Sequence, residues 1–147
     1  MQKQPDAHPG QSLVEAALVL PILVILFLGI AEVGLFLFAQ VQVTNATREG
    51  ARYGSLCRLN HTCTDLTDAV KSAVFSEAQL LHMSDTGSDC NTTVEVQPPS
   101  LTTAPAVGVP ITVTVVYTYS SPFISNFVPM FPATLPIQHS VVMHFDK

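Results

Sequence analysis

The stretch GQSLVEAALVLPILVILFLGIAEVGLF, residues 10–36, decides the fold. No residue from Ala16 to Ala31 is charged, Glu32 interrupts, and Val33 to Thr47 is again uncharged. A helix that crosses a bilayer needs about 20 mostly apolar residues to pass a hydrocarbon core of about 30 Å. Glu15 and Glu32 stand seventeen positions apart, which is about 26 Å of helix at 1.5 Å per residue. That spacing predicts one carboxylate near each face of a membrane, with leucine, isoleucine and valine between them in lipid. A charge at the bilayer centre costs about 2.5–3.5 kcal/mol on insertion scales, and less near the interfaces. Both glutamates avoid the costly zone in this arrangement. Pro21 lies inside the run and is expected to kink the helix rather than end it, because membrane helices tolerate proline.

The helix is expected to continue beyond the lipid. Ala39, Val43, Ala46, Gly50 and Tyr53 recur at three- and four-residue spacing. They form one narrow stripe of mostly small residues, suited to close packing. Gln40, Gln42, Asn45, Arg48, Glu49 and Arg52 take the other faces. Glu49 and Arg52 are three apart and can pair, for about 0.2–0.5 kcal/mol. Gly54 reads as a C-terminal stop. From Ser12 to Tyr53 this makes one helix of about 60 Å, half in lipid and half out.

The composition agrees with a membrane-linked chain. Of 147 residues, 48% are hydrophobic and 12% charged, against about 25% charged in soluble domains. Mean hydropathy is +0.38. The length suits one compact domain plus an extension. The net charge of −5, with six lysines and arginines in all, argues against a nucleic-acid partner, which would need a basic face to neutralise phosphates.

Charge alone does not settle the orientation. Lys3 and the amino terminus, offset by Asp6, precede the run, while Arg48, Arg52 and Arg58 follow it. A positive-inside count would leave the C-terminal part in the cytoplasm. A secretory signal would show a short apolar core followed by a small-residue cleavage site, and none follows here. Instead a short polar leader ends at Gly10, followed by Gln11-Ser12-Leu13-Val14-Glu15. This arrangement resembles a type IV prepilin.

The resemblance narrows over residues 10–54. Val14-Glu15, Leu20-Pro21, Glu32 with Gly34 two residues on, and Ala46-x-Arg48-Glu49-Gly50-Ala51-Arg52 are similar to the TadE-like proteins. These are minor pilins or pseudopilins of the tight-adherence (Flp) branch of the type IV pilus machinery. The resemblance implies a leader at 1–10, a transmembrane and pilin-type helix at 11–54, and an extracytoplasmic head at 55–147. It implies cleavage by a prepilin peptidase between Gly10 and Gln11, with the amino terminus cytoplasmic and the head outside. The implied partners are the membrane, other pilins or pseudopilins and the pilus assembly platform. Glu15 then becomes the fifth residue of the mature chain. Its carboxylate would meet the new ammonium of a neighbouring subunit and set axial register, since an unpaired partner in low dielectric is costly. The plainer alternative is a carboxylate that snorkels at a helix end. Glu32 either marks the outer interface or meets a group on another subunit.

The remainder reads as a small α+β head. Leu66, Ala69, Val70, Ala73, Val74, Glu77, Leu80 and Leu81 share one face of a second helix from Asp65 to His82. Thr64 or Asp65 can cap it. Ser84 to Cys90 is a turn region around Gly87. Thr93–Gln97 is a short strand. Ile111, Val113, Val115, Tyr117 and Tyr119 alternate with Thr112, Thr114, Val116 and Thr118 in a half-buried strand. Leu135–Phe145 repeats the pattern, with Ile137, His139, Val141, Met143 and Phe145 on one face. Pro98 to Pro110 is a connector. Ser120 to Pro136, with Phe123, Phe127 and Phe131, reads as an irregular lid. The expected architecture is a long N-terminal transmembrane helix that extends into a head made of a second helix and a three-stranded antiparallel sheet, packed on the small-residue stripe.

Cys57, Cys63 and Cys90 allow at most one internal bridge and one leftover thiol, and export favours a bridge. Cys57–Cys63 is the easier pairing, because a helix separates both from Cys90 and a disulfide needs alpha carbons within about 7 Å. Cys63–Cys90 is the alternative, if the loop doubles back. His139 and His144 are five apart on a strand and face opposite sides, so they cannot chelate together. His139 is expected to be a hydrogen-bonded core histidine. No G-x-S-x-G, Walker A, H-E-x-x-H or Cys-x-x-Cys pattern occurs. No enzyme, cofactor or metal is expected. Asn45, Asn60 and Asn91 stand in N-x-T triplets, read as coincidence in a threonine-rich chain. The competing function is a membrane-tethered head that binds an extracellular ligand and never polymerises.

Overall fold

A computed structural model describes residues 9–60, 65–86, 90–98, 108–123 and 132–145. Helix α1 runs unbroken from Pro9 to Asn60, through Pro21. Helix α2 spans Leu66–Glu77, and a short 3-10 turn follows at Gln79–Leu81. Strands β1 (Thr92–Gln97), β2 (Pro110–Ser120) and β3 (Thr134–His144) form one antiparallel sheet in the order β1-β2-β3. The chain is α+β, as its sequence predicts.

The expected strands form because their alternation matches the pleat. In β2 the side chains of Ile111, Val113, Val115, Tyr117 and Tyr119 are buried, and their neighbours are not. Val94 and Val96 of β1 face the same core. β2 takes the centre, pairing Val113 with Val96 on one side and Val141 on the other. Its interior carries no proline. Pro136 lies in β3, an edge strand, where a missing N–H is tolerated.

Both helices cover one face of the sheet. α2 packs over β1, and α1 packs over β2 and β3. Ala39, Val43, Ala46, Gly50 and Ala51 of α1 are buried against them, so the small-residue stripe is the seam that was read from spacing. Tyr53 is the exception, at 47% exposure. Gly54 takes its place: a Cβ there would lie 2.6 Å from Ile111 Cδ1 and 3.0 Å from Val70 Cγ2. Gly54 therefore does not stop the helix. It lets α1 approach the sheet and α2 closely, and α1 continues to Asn60. Thr47 is fully buried in the same seam, and its hydroxyl donates to the Val43 carbonyl at 2.7 Å. This back-bond satisfies the oxygen inside the helix.

α2 begins where expected, because the Asp65 side chain accepts from the backbone N–H groups of Thr67 and Asp68. It ends earlier than the apolar spacing suggests. Leu66, Val70, Ala73, Val74 and Ala78 reach the core, whereas Glu77 and Leu80 are exposed, Leu80 at 71%. The chain tightens to 3-10 after Ala78 and closes at His82 in the left-handed region (φ 47°). That tightening leaves Leu80 off the core face, while Leu81 stays half-buried against the core. Most of the Pro98–Pro110 connector, the turn at Gly87 and the 124–131 part of the lid lie outside the described residues.

Candidate functional site

The helix divides into a bare half and a covered half. Ser12–Leu56 contains a stretch long and apolar enough to cross a membrane, and none of that stretch is buried within the chain. Leu13, Leu18, Ile22, Ile25, Phe27 and Ile30 are all exposed. Coverage starts at Glu32, and inward-facing α1 positions from there to Gly54 are buried at intervals. The sheet and α2 stack on the C-terminal half, and the N-terminal half projects alone. In water such an apolar surface would associate strongly, and lipid is the solvent that suits it. One N-terminal helix of this kind fits a single-pass membrane protein.

Glu32 sits at the boundary between the halves and is 5% exposed. Its Oε1 accepts from the Tyr119 hydroxyl at 3.0 Å, and its Oε2 accepts from the Phe123 backbone N–H at 3.2 Å. Phe36, one turn along, meets the Tyr119 ring edge-on with centroids 5.6 Å apart. The sequence placed Glu32 at the outer interface or against another subunit. Both of its oxygens are engaged by the chain's own head. A buried carboxylate requires such donors. Burial pushes the Tyr119 hydroxyl up to about 12, and its hydrogen bond to the Glu32 carboxylate adds to the shift.

Glu15 differs. It is exposed on the bare half and has no hydrogen-bond or ion-pair partner among the described residues. Gly10 is exposed in the first turn of α1, and a Cβ there would meet nothing within 4 Å. Gln11 follows it in the helix. Gly29 and Gly34 are equally open, so a second helix can approach closely at both.

The segment around residues 48–52 splits by face. Arg52 Nη1 meets Glu49 Oε1 at 3.0 Å on the surface, the pair expected from spacing. Arg48 is exposed and unpaired among the described residues. Gly50 faces inward, where a Cβ would come within 2.6 Å of Val74 Cγ2 and 3.3 Å of Val70 Cγ1. α1 and α2 pass close to each other there.

Cys57 lies in the last turns of α1, and Cys90 is exposed with a free thiol. The Cys57–Cys63 pairing lies outside the described residues. His139 departs from expectation: it is half-buried, and its Nδ1 is buried without a hydrogen-bond partner among the described residues. Among the described residues no group of histidine, cysteine, aspartate or glutamate could hold a metal. Asn91 is a residue whose role spacing did not reveal. Its Oδ1 accepts from Ser84 N and Thr92 Oγ1, and its Nδ2 donates to the His82 carbonyl. The N-x-T triplet drew attention to it for an unrelated reason.

These features fit a single-pass membrane protein, with one exposed apolar helix and an α+β head clasped to the far half of that helix. The sequence model of a family described as TadE-like protein matches residues 10–52. The match spans the bare half, Glu32 and the Arg48–Arg52 segment, and it associates the chain with the tight-adherence pilus machinery. No curated protein and no solved structure matches the chain.

Proposed function

We propose that this chain is a minor pilin or pseudopilin of the tight-adherence pilus. A prepilin peptidase hydrolyses the Gly10–Gln11 peptide bond, leaving a carboxylate on the leader and an ammonium on Gln11. The amino terminus faces the cytoplasm and the head lies outside. The assembly platform then draws the mature chain out of the bilayer to pack helix against helix with other pilins.

The observation that carries this reading is the contrast between two glutamates on one helix. Glu32 has two donors from its own head. Glu15, on the bare half, has none among the described residues. A carboxylate left unmatched in an apolar surface needs a partner from elsewhere once it leaves water. The Gln11 ammonium of a neighbouring subunit supplies a charge of the right sign, about one turn from that subunit's own Glu15. The pair would fix axial register more than it would add stability. Open Cβ space at Gly29 and Gly34 suits close helix packing in the same filament.

The test is Glu15→Ala, followed in membranes and in sheared fibres. Insertion is expected to stay normal, because the substitution makes the helix more apolar. Recovery in fibres is expected to fall at least about tenfold, the equivalent of 1.4 kcal/mol in an assembly equilibrium. Fibre incorporation equal to that of the parent chain would remove the register role.

A further inference from the structure

The apolar surface of α1 does not end where the head begins. Glu32 faces the head, but on the side of the helix turned away from it Leu37, Phe38 and Val41 are exposed. That side turns polar only at Asn45, Arg48 and Arg52. From Leu13 to Val41 the exposed apolar surface is about 42 Å long, at about 1.5 Å per residue. A hydrocarbon core is about 30 Å thick, and about 40–45 Å with its headgroup regions. Tilt alone would have to reach about 45° to hide all of it in hydrocarbon, beyond the usual limit of about 40°. With Glu15 at one edge of the hydrocarbon, the other edge falls about 20 residues on, near Leu35. The headgroup layer then ends near Gln40 and Gln42, where the helix becomes polar. Glu32 lies about 4–5 Å below the hydrocarbon edge, on the lipid side.

A corner of the head reaches the same depth. β2 runs antiparallel to α1: Ile111 abuts Gly54, and Tyr119 bonds Glu32. Just past the end of β2 the Phe123 N–H donates to the same carboxylate. Among the described residues, Pro122, Phe123, Pro132 and Ala133 are exposed at this corner, which the Ser121 N–H closes by donating to the Ala133 carbonyl. No aspartate, glutamate, lysine or arginine occurs from Val96 to Phe145, so seating the corner in a membrane desolvates no charge. We propose that this corner is a second membrane contact, set in the headgroup region on the head's side with the Phe123 ring at the edge of the acyl chains. Lipid is the occupant because the surface is continuous with the bare half of α1 and its depth follows from the same helix. Immersion also gives a reason for the two donors on Glu32, since water is scarce at that depth and a carboxylate there needs partners from its own chain. A ring seated about 5–10 Å into the boundary adds a second point of attachment and restrains the tilt of α1. The proposal rests on α1 crossing the bilayer and not on cleavage at Gly10.

The chain has no tryptophan, so a single introduced one reports one place. Phe123→Trp and Val142→Trp are made in the full-length chain and reconstituted in phosphatidylcholine–phosphatidylglycerol vesicles, with and without bromine on the acyl chains near the glycerol. Val142 is exposed on β3 opposite Thr112, beside Ile111 at the Gly54 end of the head, and serves as the membrane-distal site. Pro122→Trp is a second probe of the corner, should Phe123→Trp disturb the fold. The corner tryptophan is expected to be quenched by the brominated lipid, and to be quenched by aqueous acrylamide at least about threefold more weakly than Val142→Trp. Equal acrylamide quenching at the corner and at Val142 would overturn the proposal. A corner tryptophan shielded from acrylamide yet untouched by brominated lipid would overturn it as well, because protein would then cover the corner. Both readouts are the same for a chain that begins at Met1 or at Gln11, so their failure leaves the pilin reading standing.

Discussion

Replacing Tyr119 by phenylalanine removes one oxygen atom and leaves the ring where it packs against Phe36. No cavity opens, so the apolar contribution should hold. What changes is the carboxylate of Glu32, which loses its 3.0 Å donor and keeps only the Phe123 N–H at 3.2 Å. A hydrogen bond to a charged group is worth about 1.5–3 kcal/mol, and more is at stake when the charge is buried. Glu32 is 5% exposed, so water cannot replace the lost donor without the head lifting from the helix. The expected loss is therefore about 1.5–3 kcal/mol of head stability. For a domain of this size each kcal/mol moves the midpoint by about 4–8 °C. The assay is thermal unfolding of the full chain in detergent micelles, followed by the near-ultraviolet circular dichroism of its tyrosines. A cycle with Glu32→Gln isolates the pairwise part, expected at about 1 kcal/mol or more. A Tyr119→Phe variant within about 0.5 kcal/mol of the parent, which is the scatter of ordinary surface changes, would refute the clasp.

The same contact sets an alkaline limit. The folded Tyr119 hydroxyl titrates at about 12, above its unfolded value of about 10. The stabilisation that comes from keeping it neutral is fully present below about pH 10 and is lost as pH rises towards 12. Base titration of the parent and of Tyr119→Phe should show a loss in that window that the variant lacks in part; identical curves would contradict it. The two seam glycines should differ. Gly50→Ala forces a methyl onto Val74 Cγ2 at 2.6 Å, a β-branched side chain with little freedom on a helix. Overpacking of about 1–3 kcal/mol then outweighs the gain of about 1 kcal/mol from replacing a helical glycine. Gly54→Ala meets the far end of Ile111 first, which can turn away, and it should cost less than Gly50→Ala. Denaturant midpoints of the two variants check the order, and a more stable Gly50→Ala would contradict the close crossing.

Much of this architecture was legible because its signals are periodic. The strand β2 alternates over the nine positions from Ile111 to Tyr119, and the α1 stripe recurs at helical spacing. Residues that repeat a face repeat a burial. Sheet order was not legible, since alternation says which side faces in and nothing about which strand pairs with which. Glycine at 54 misled because two roles share one residue: a helix stop and a point of close approach. Only the Ile111 and Val70 side chains, distant in sequence, distinguish them. The end of α2 misled for a similar reason, as Leu80 extends an apolar pattern that the 3-10 tightening after Ala78 breaks. At the site, Glu32 was visible as a charge that needed an explanation. Its donors stand 87 and 91 residues away, and no local pattern reaches that far. His139 was expected to find a partner on its apolar face, and its buried Nδ1 has none among the described residues.

The central claim is that this chain matures by losing its first ten residues, and that the end so created is what Glu15 of a neighbour receives. The mass of the amino-terminal peptide, taken from membrane and sheared-fibre fractions of cells with an active prepilin peptidase, tests it most directly. The account predicts mature molecules that start at Gln11 in both fractions. Molecules in the fibre fraction that still carry Met1 through Gly10 would contradict it.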